Sequence, residues 1–116
     1  MGEKDLEISF KTTKLEKMFN SSSALQAEYG VEQAKKIQVR FGVLKNASNL
    51  SEVPVLPPDG RHELKGEYAG CFAVDAKQPY RLIFKPDYDE IPRKPDGGID
   101  IQKVTKIKIL GVVDYH

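Results

Sequence analysis

The sequence predicts an α+β domain, with two N-terminal helices packed on one face of an antiparallel sheet in the order β-α-α-β-β-β. Three observations point there: period-two alternation near the N-terminus, an apolar stripe at helical spacing through residues 31–44, and a second half of short β-rich segments divided by Gly and Pro. With 116 residues and 40% hydrophobic content, the chain reads as a single domain over residues 1–116 with one core.

Leu6, Ile8 and Phe10 alternate with Asp5, Glu7 and Ser9, the pattern of a strand with one buried face. Thr13 and Glu16 have capping-box spacing just ahead of Leu15, Met18 and Phe19, so a first helix is expected from Thr13. Ser21 to Ser23 weaken its middle, and Gly30 can take the left-handed conformation that ends it. Val31, Ala34, Ile37, Phe41 and Leu44 then form the stripe of a second helix, which ends near Asn46 to Asn49. Pro54, Pro57, Pro58 and Asp59-Gly60 turn the chain into β-rich segments at Arg61 to Lys65, Cys71 to Asp75 and Tyr80 to Lys85. A charged excursion from Pro86 to Gly98 precedes a long final strand from Ile99 to Tyr115.

Strand parity sorts the side chains. Arg81, Ile83 and Lys85 share one face, opposite Tyr80, Leu82 and Phe84, and the larger apolar set is expected to face the helices. On the last strand Lys106, Lys108, Asp114 and His116 share a side under strict alternation, opposite Ile107, Ile109, Val113 and Tyr115. The sheet face left open by the helices would then be cationic.

The formal net charge of +1 hides a segregation. Lys11 to Ala47 holds seven basic residues against three acidic ones, whereas Pro86 to Asp100 holds five acidic against two basic. Such runs serve as solvated faces or as surfaces for a polyanion. Lys14, Lys17, Lys35 and Lys36, with Lys85 on the sheet, are the candidate cations for such a polyanion, RNA among them. The acidic run Met1 to Glu7 has no apolar core of an export signal, and no later apolar run reaches membrane-spanning length, so a cytoplasmic protein with no membrane partner is expected. The lone Cys71 has no internal disulfide partner and reads as a strand thiol in a reducing compartment.

Cleaving RNA without a metal needs a base for the 2′-hydroxyl proton, an acid for the leaving 5′-oxygen, and cations for the crowded phosphorane. The two histidines, His62 and His116, are of a residue type that can accept or donate a proton at working pH, and lysines and arginines supply fixed charge. Two histidines and one cysteine at no recognised ligand spacing make a poor metal set, and no glycine-rich phosphate loop is present, so neither metal nor cofactor is expected.

Arg61-His62-Glu63-Leu64-Lys65-Gly66, then Tyr80-Arg81-Leu82-Ile83-Phe84, then Asp114-Tyr115-His116 resembles the HigB toxins of the RelE/ParE superfamily, from about Leu6 to His116. The resemblance implies a RelE/ParE-like fold and a ribosome-dependent mRNA endonuclease, the toxin of a type II toxin–antitoxin system. It also implies a cognate antitoxin of helix-turn-helix, HigA type, so that DNA is met only through that partner. Carried over by position, it nominates His62, Lys65, Arg81, Asp114, Tyr115 and His116 as catalytic. His116 and His62 would exchange protons, Lys65 and Arg81 would clamp the transition state, Tyr115 would stack on a base, and Asp114 would hold an imidazole. The acidic 86–100 stretch departs from the family pattern and would either impede docking on ribosomal RNA or form an antitoxin-binding or species-specific surface. The ParE branch, whose members inhibit DNA gyrase by binding, is the alternative reading of the same fold.

Overall fold

The N-terminal alternation produces strand β1 (Glu7–Phe10) in a computed structural model that describes residues 5–114. Helix α1 (Thr13–Phe19) is capped by Thr12, whose hydroxyl accepts from the Leu15 N–H at 3.0 Å. The expected cap at Thr13 is therefore displaced by one residue, and Glu16 falls too far along to complete a capping box. The chain breaks at Asn20, whose side-chain amide donates to Glu16 O, and restarts as α2 (Ser22–Tyr29) with Ser21 accepting from the Ala24 N–H at 3.2 Å. Serine and asparagine offer the backbone alternative partners, which is why one expected helix becomes two. Gly30, at φ 83° and ψ 162°, links α2 to α3 (Val31–Asn46) in a conformation that suits glycine alone.

Helix α3 buries Ala34, Ile37 and Leu44 as its stripe predicts, and Phe41 packs against the same core. Val31 departs from expectation: at 66% exposure in the first turn, it extends past the layer it was expected to cover. Gln33 is buried instead, clamping α3 to the turn at Lys77 through two 2.9 Å hydrogen bonds with that residue's N–H and carbonyl.

The remaining strands are β2 (His62–Glu63), β3 (Phe72–Asp75), β4 (Tyr80–Pro86) and β5 (Lys106–Asp114). The order is thus β-α-α-α-β-β-β-β, with one helix more than expected and one strand more than the β-α-α-β-β-β order, the four later strands falling within or near the three β-rich segments and the final strand read from sequence. Across the sheet the strands run β1-β5-β4-β3-β2, antiparallel except for β1, which lies parallel to β5. The expected all-antiparallel sheet is corrected here, because alternation records which face a residue takes and not which way its strand runs. The final strand is also shorter than predicted: Ile99 bridges back to Arg93, and Ile101–Lys103 forms a 3-10 turn before β5 begins.

The helices cover one face of the sheet. Phe72, Val74, Leu82, Phe84, Ile107 and Ile109 are buried with Phe19, Leu25, Ile37 and Leu44 in one cluster, where the rings of Phe10, Phe19 and Phe41 lie 5.2–5.9 Å apart. A second, smaller cluster of Leu64, Ala73 and Ile83 lies on the opposite face. No helix among the described residues is long and apolar enough to cross a membrane.

Candidate active site

Cross-strand register assembles a polar group on the open face. His62 pairs with Ala73, which pairs with Ile83; Asp75 pairs with Arg81, which pairs with Val113. Directly paired residues share a face, so His62, Asp75 and Arg81 stand together at one end of the open side. Arg81 Nη1 lies 3.3 Å from His62 Nε2, and Arg81 Nε lies 3.4 Å from Asp75 Oδ1. His62 Nδ1 is 2.9 Å from the carbonyl oxygen of Gly60. A carbonyl can only accept, so Nδ1 carries a proton and Nε2, facing a guanidinium that can only donate, presents its lone pair. The Nε2 lone pair is therefore directed at the Arg81 guanidinium, and the two side chains form one pair on the open face.

The turn behind His62 is closely built. Gly60 sits at φ 62°, and a Cβ there would stand 2.5 Å from Asp75 Oδ2, so a glycine is required for the carboxylate to approach. The Asp75 N–H donates to Asp59 O at 2.7 Å. Arg40, one of the seven basic residues of the Lys11 to Ala47 segment, is only 6% exposed, donating from Nε to Asp75 O at 2.7 Å with Asp59 Oδ1 at 3.7 Å. A buried guanidinium needs such partners to offset its desolvation.

The other nominated residues divide. Lys65 is exposed where the chain leaves β2 for the 3-10 turn Gly66–Tyr68, and no hydrogen bond or ion pair among the described residues joins it to His62 or Arg81. Asp114 does not share a side with Lys106 and Lys108 as strict alternation requires. Ile83 pairs with Gly111 while Phe84 pairs with Ile109, so Leu110 is an extra residue that inverts the parity beyond it. Asp114 consequently pairs with Tyr80 on the helix side, and Val113 with Arg81 on the open side. The same bulge corrects the placement of Val113. Tyr115 and His116 lie outside the described residues.

Lys85 is exposed on the open face, paired across β5 with Lys108, which has Asp87 at 3.9 Å. Like charges directly opposite one another are costly, and an arriving phosphate would relieve them. Lys14, Lys17, Lys35 and Lys36 are exposed on the helices, the opposite layer of the molecule. Cys71 packs against the open-face cluster. Its burial pushes the thiol above its ordinary range and outweighs the opposing pull of Lys85, so it stays protonated near neutral pH and is a poor nucleophile.

Sequence reasoning missed Asp75, Asp59, Gly60 and Arg40. Asp59-Gly60 carries a turn signal, but nothing local shows which carboxylate that glycine makes room for. The acidic stretch folds back as a hairpin in which Lys94 N–H donates to Gly98 O at 2.8 Å and Asp100 N–H to Pro92 O at 2.9 Å. Lys94, Ile99, Asp100, Ile101 and Gln102 from that region, with Arg61, His62 and Glu63, line a cleft of about 600 Å³ at the β2 edge. No group of three or more His, Cys, Asp or Glu among the described residues converges as a metal site.

The class defined by these features is an α+β layer of helices on one face of a five-stranded sheet, with a polar open face. Among solved structures the chain is similar to one from the YoeB–YefM complex of Staphylococcus aureus, with a TM-score of 0.52 at 16% identity, covering 96% of this chain and 97% of that one. The likeness is one of fold. No family model matches the sequence, and neither does any curated protein.

Proposed function

We propose that the chain is the toxin of a type II toxin–antitoxin pair, a HigB-type member of the RelE/ParE superfamily that cuts translated mRNA on the ribosome as a single cytoplasmic domain. The observation that carries this reading is the His62–Arg81 pair, an imidazole with its Nε2 lone pair held 3.3 Å from a guanidinium on an open, cationic sheet face. The fold likeness supports it, since YoeB is a RelE-family toxin and the similar chain comes from a two-protein complex. A helix-turn-helix antitoxin of HigA type would be the corresponding partner here, and DNA would be contacted through it.

In the reaction Arg81 turns from His62 Nε2 to the phosphate, and the freed Nε2 lone pair takes the 2′-hydroxyl proton as that oxygen attacks phosphorus. The 5′-oxygen leaves with a proton from His116, giving a 2′,3′-cyclic phosphate and a 5′-hydroxyl end. Arg81, joined by Lys65 once the strand is bound, stabilises the charge that builds on the non-bridging oxygens. Tyr115 stacks on a neighbouring base. Asp114 contributes from the strand end, where it pairs with Tyr80. So small an open face cannot align a flexible RNA strand alone, and the ribosome supplies that orientation, which is worth several kcal/mol.

Expression of the wild type and His116→Ala in cells, with mRNA ends mapped at translated codons, tests the reading. The wild type is expected to arrest growth and generate ends within codons, and His116→Ala to lose about 100-fold or more of the cutting. Arrest with intact mRNA and trapped gyrase would instead establish the ParE-like mode.

A further inference from the structure

Arg40 projects from a helix, yet its guanidinium ends among backbone and carboxylate groups behind the candidate site. Two branches lead from it to the reactive pair. Through Asp59 Oδ1 at 3.7 Å it holds the turn whose next carbonyl, Gly60 O, receives the His62 Nδ1 proton at 2.9 Å. Through Asp75 O at 2.7 Å it holds the end of β3, whose carboxylate lies 3.4 Å from Arg81 Nε. The branches are tied together, because the Asp75 N–H donates to Asp59 O at 2.7 Å and Gly60 leaves no room between itself and the Asp75 carboxylate. Asp59 Oδ1 is buried without a hydrogen bond, which leaves Arg40 as its counter-charge.

We infer that the buried Arg40–Asp59 pair is a positioning device for the proposed nuclease site, setting the tautomer and orientation of His62 through the turn at Gly60. This rests on the nuclease reading for its consequence, but not for its geometry. If the guanidinium goes, the buried Asp59 carboxylate loses its counter-charge and the Asp75 carbonyl loses its donor, and the turn opens to hydrate them. Gly60 O then withdraws from Nδ1, and the ring keeps only the longer of its two fixing contacts, that of Arg81 at Nε2. Arg40 never touches substrate in this account.

Ring-nitrogen NMR of His62 in the intact chain tests this directly. The wild type is expected to show a single neutral tautomer protonated at Nδ1, and folded Arg40→Gln a mixture of both, with mRNA cutting in cells reduced roughly ten-fold or more. Asp59→Asn preserves shape and removes only the counter-charge, so it is expected to shift the tautomers the same way by less, and it decides the matter if Arg40→Gln does not fold. A merely structural role for the pair would lower stability and leave the tautomer of the folded protein unchanged; wild-type ring signals in both folded variants, or in Asp59→Asn alone if only it folds, overturn the inference. Absence of mRNA ends from the wild type would defeat the nuclease reading instead, while the ring signals would still judge the pair.

Discussion

The two faces of the sheet are built from the same strands under opposite demands. On the helix side Phe72, Leu82, Phe84, Ile107 and Ile109 are buried, with the Phe72 and Phe84 rings stacked at 6.1 Å between centroids. On the open side the intervening positions hold His62, Asp75, Arg81, Lys85 and Lys108 around a patch of Leu64, Ala73 and Ile83. Burial of apolar area on the first face supplies most of the driving force for folding. The second face keeps polar groups at fixed spacings with water above them, which is the condition for a site. Stability and chemistry are thus assigned to alternate residues of one strand, and substitutions one position apart should have different kinds of effect.

The largest effect is expected at Phe84. Phe84→Ala empties the helix-side core and should cost about 3–5 kcal/mol in denaturant unfolding, whereas its neighbour Ile83→Ala, in the smaller cluster, should fall near 2 kcal/mol. Equal losses at both would break the comparison. Next comes Gly60→Ala, which forces a side chain into a left-handed position and against the Asp75 carboxylate. A loss of about 1–2 kcal/mol is expected, together with reduced mRNA cutting, because the carbonyl that orients His62 must move. Undiminished cutting would show that His62 does not depend on this turn. The smallest effect concerns Cys71. Its raised thiol pKa means that less thiolate is present at any given pH than in an unfolded chain. Alkylation of the native protein should therefore be slow near neutral pH and accelerate only at alkaline pH, relative to the same protein in denaturant. Native and denatured rates that coincide would remove burial as the cause.

Where elements are regular, the sequence was informative. The parity of β4 follows from its uninterrupted run, and Leu82 and Phe84 face the helices while Arg81, Ile83 and Lys85 face outward, as alternation requires. Parity failed on β5 because one extra residue, Leu110, inverts every position after it, and a bulge leaves little trace in a pattern of apolar residues. The parallel pairing of β1 with β5 was equally hidden, since it depends on how three helices return the chain. Within the site, His62 and Arg81 were each nominated through the family resemblance, and their contact at 3.3 Å follows from the register of β2, β3 and β4. Arg40 was not, because an arginine on a lysine-rich helix looks solvated until the turn that receives it is in place.

The most direct measurement is cleavage of a defined mRNA on programmed ribosomes by purified wild type and His62→Ala, each shown to be folded. The wild type is expected to give ends bearing 2′,3′-cyclic phosphate within translated codons and little or no cutting of the same RNA without ribosomes, and the variant to lose on the order of 100-fold. Full cutting by folded His62→Ala, or wild-type protein that leaves ribosome-bound mRNA intact, would contradict the nuclease reading.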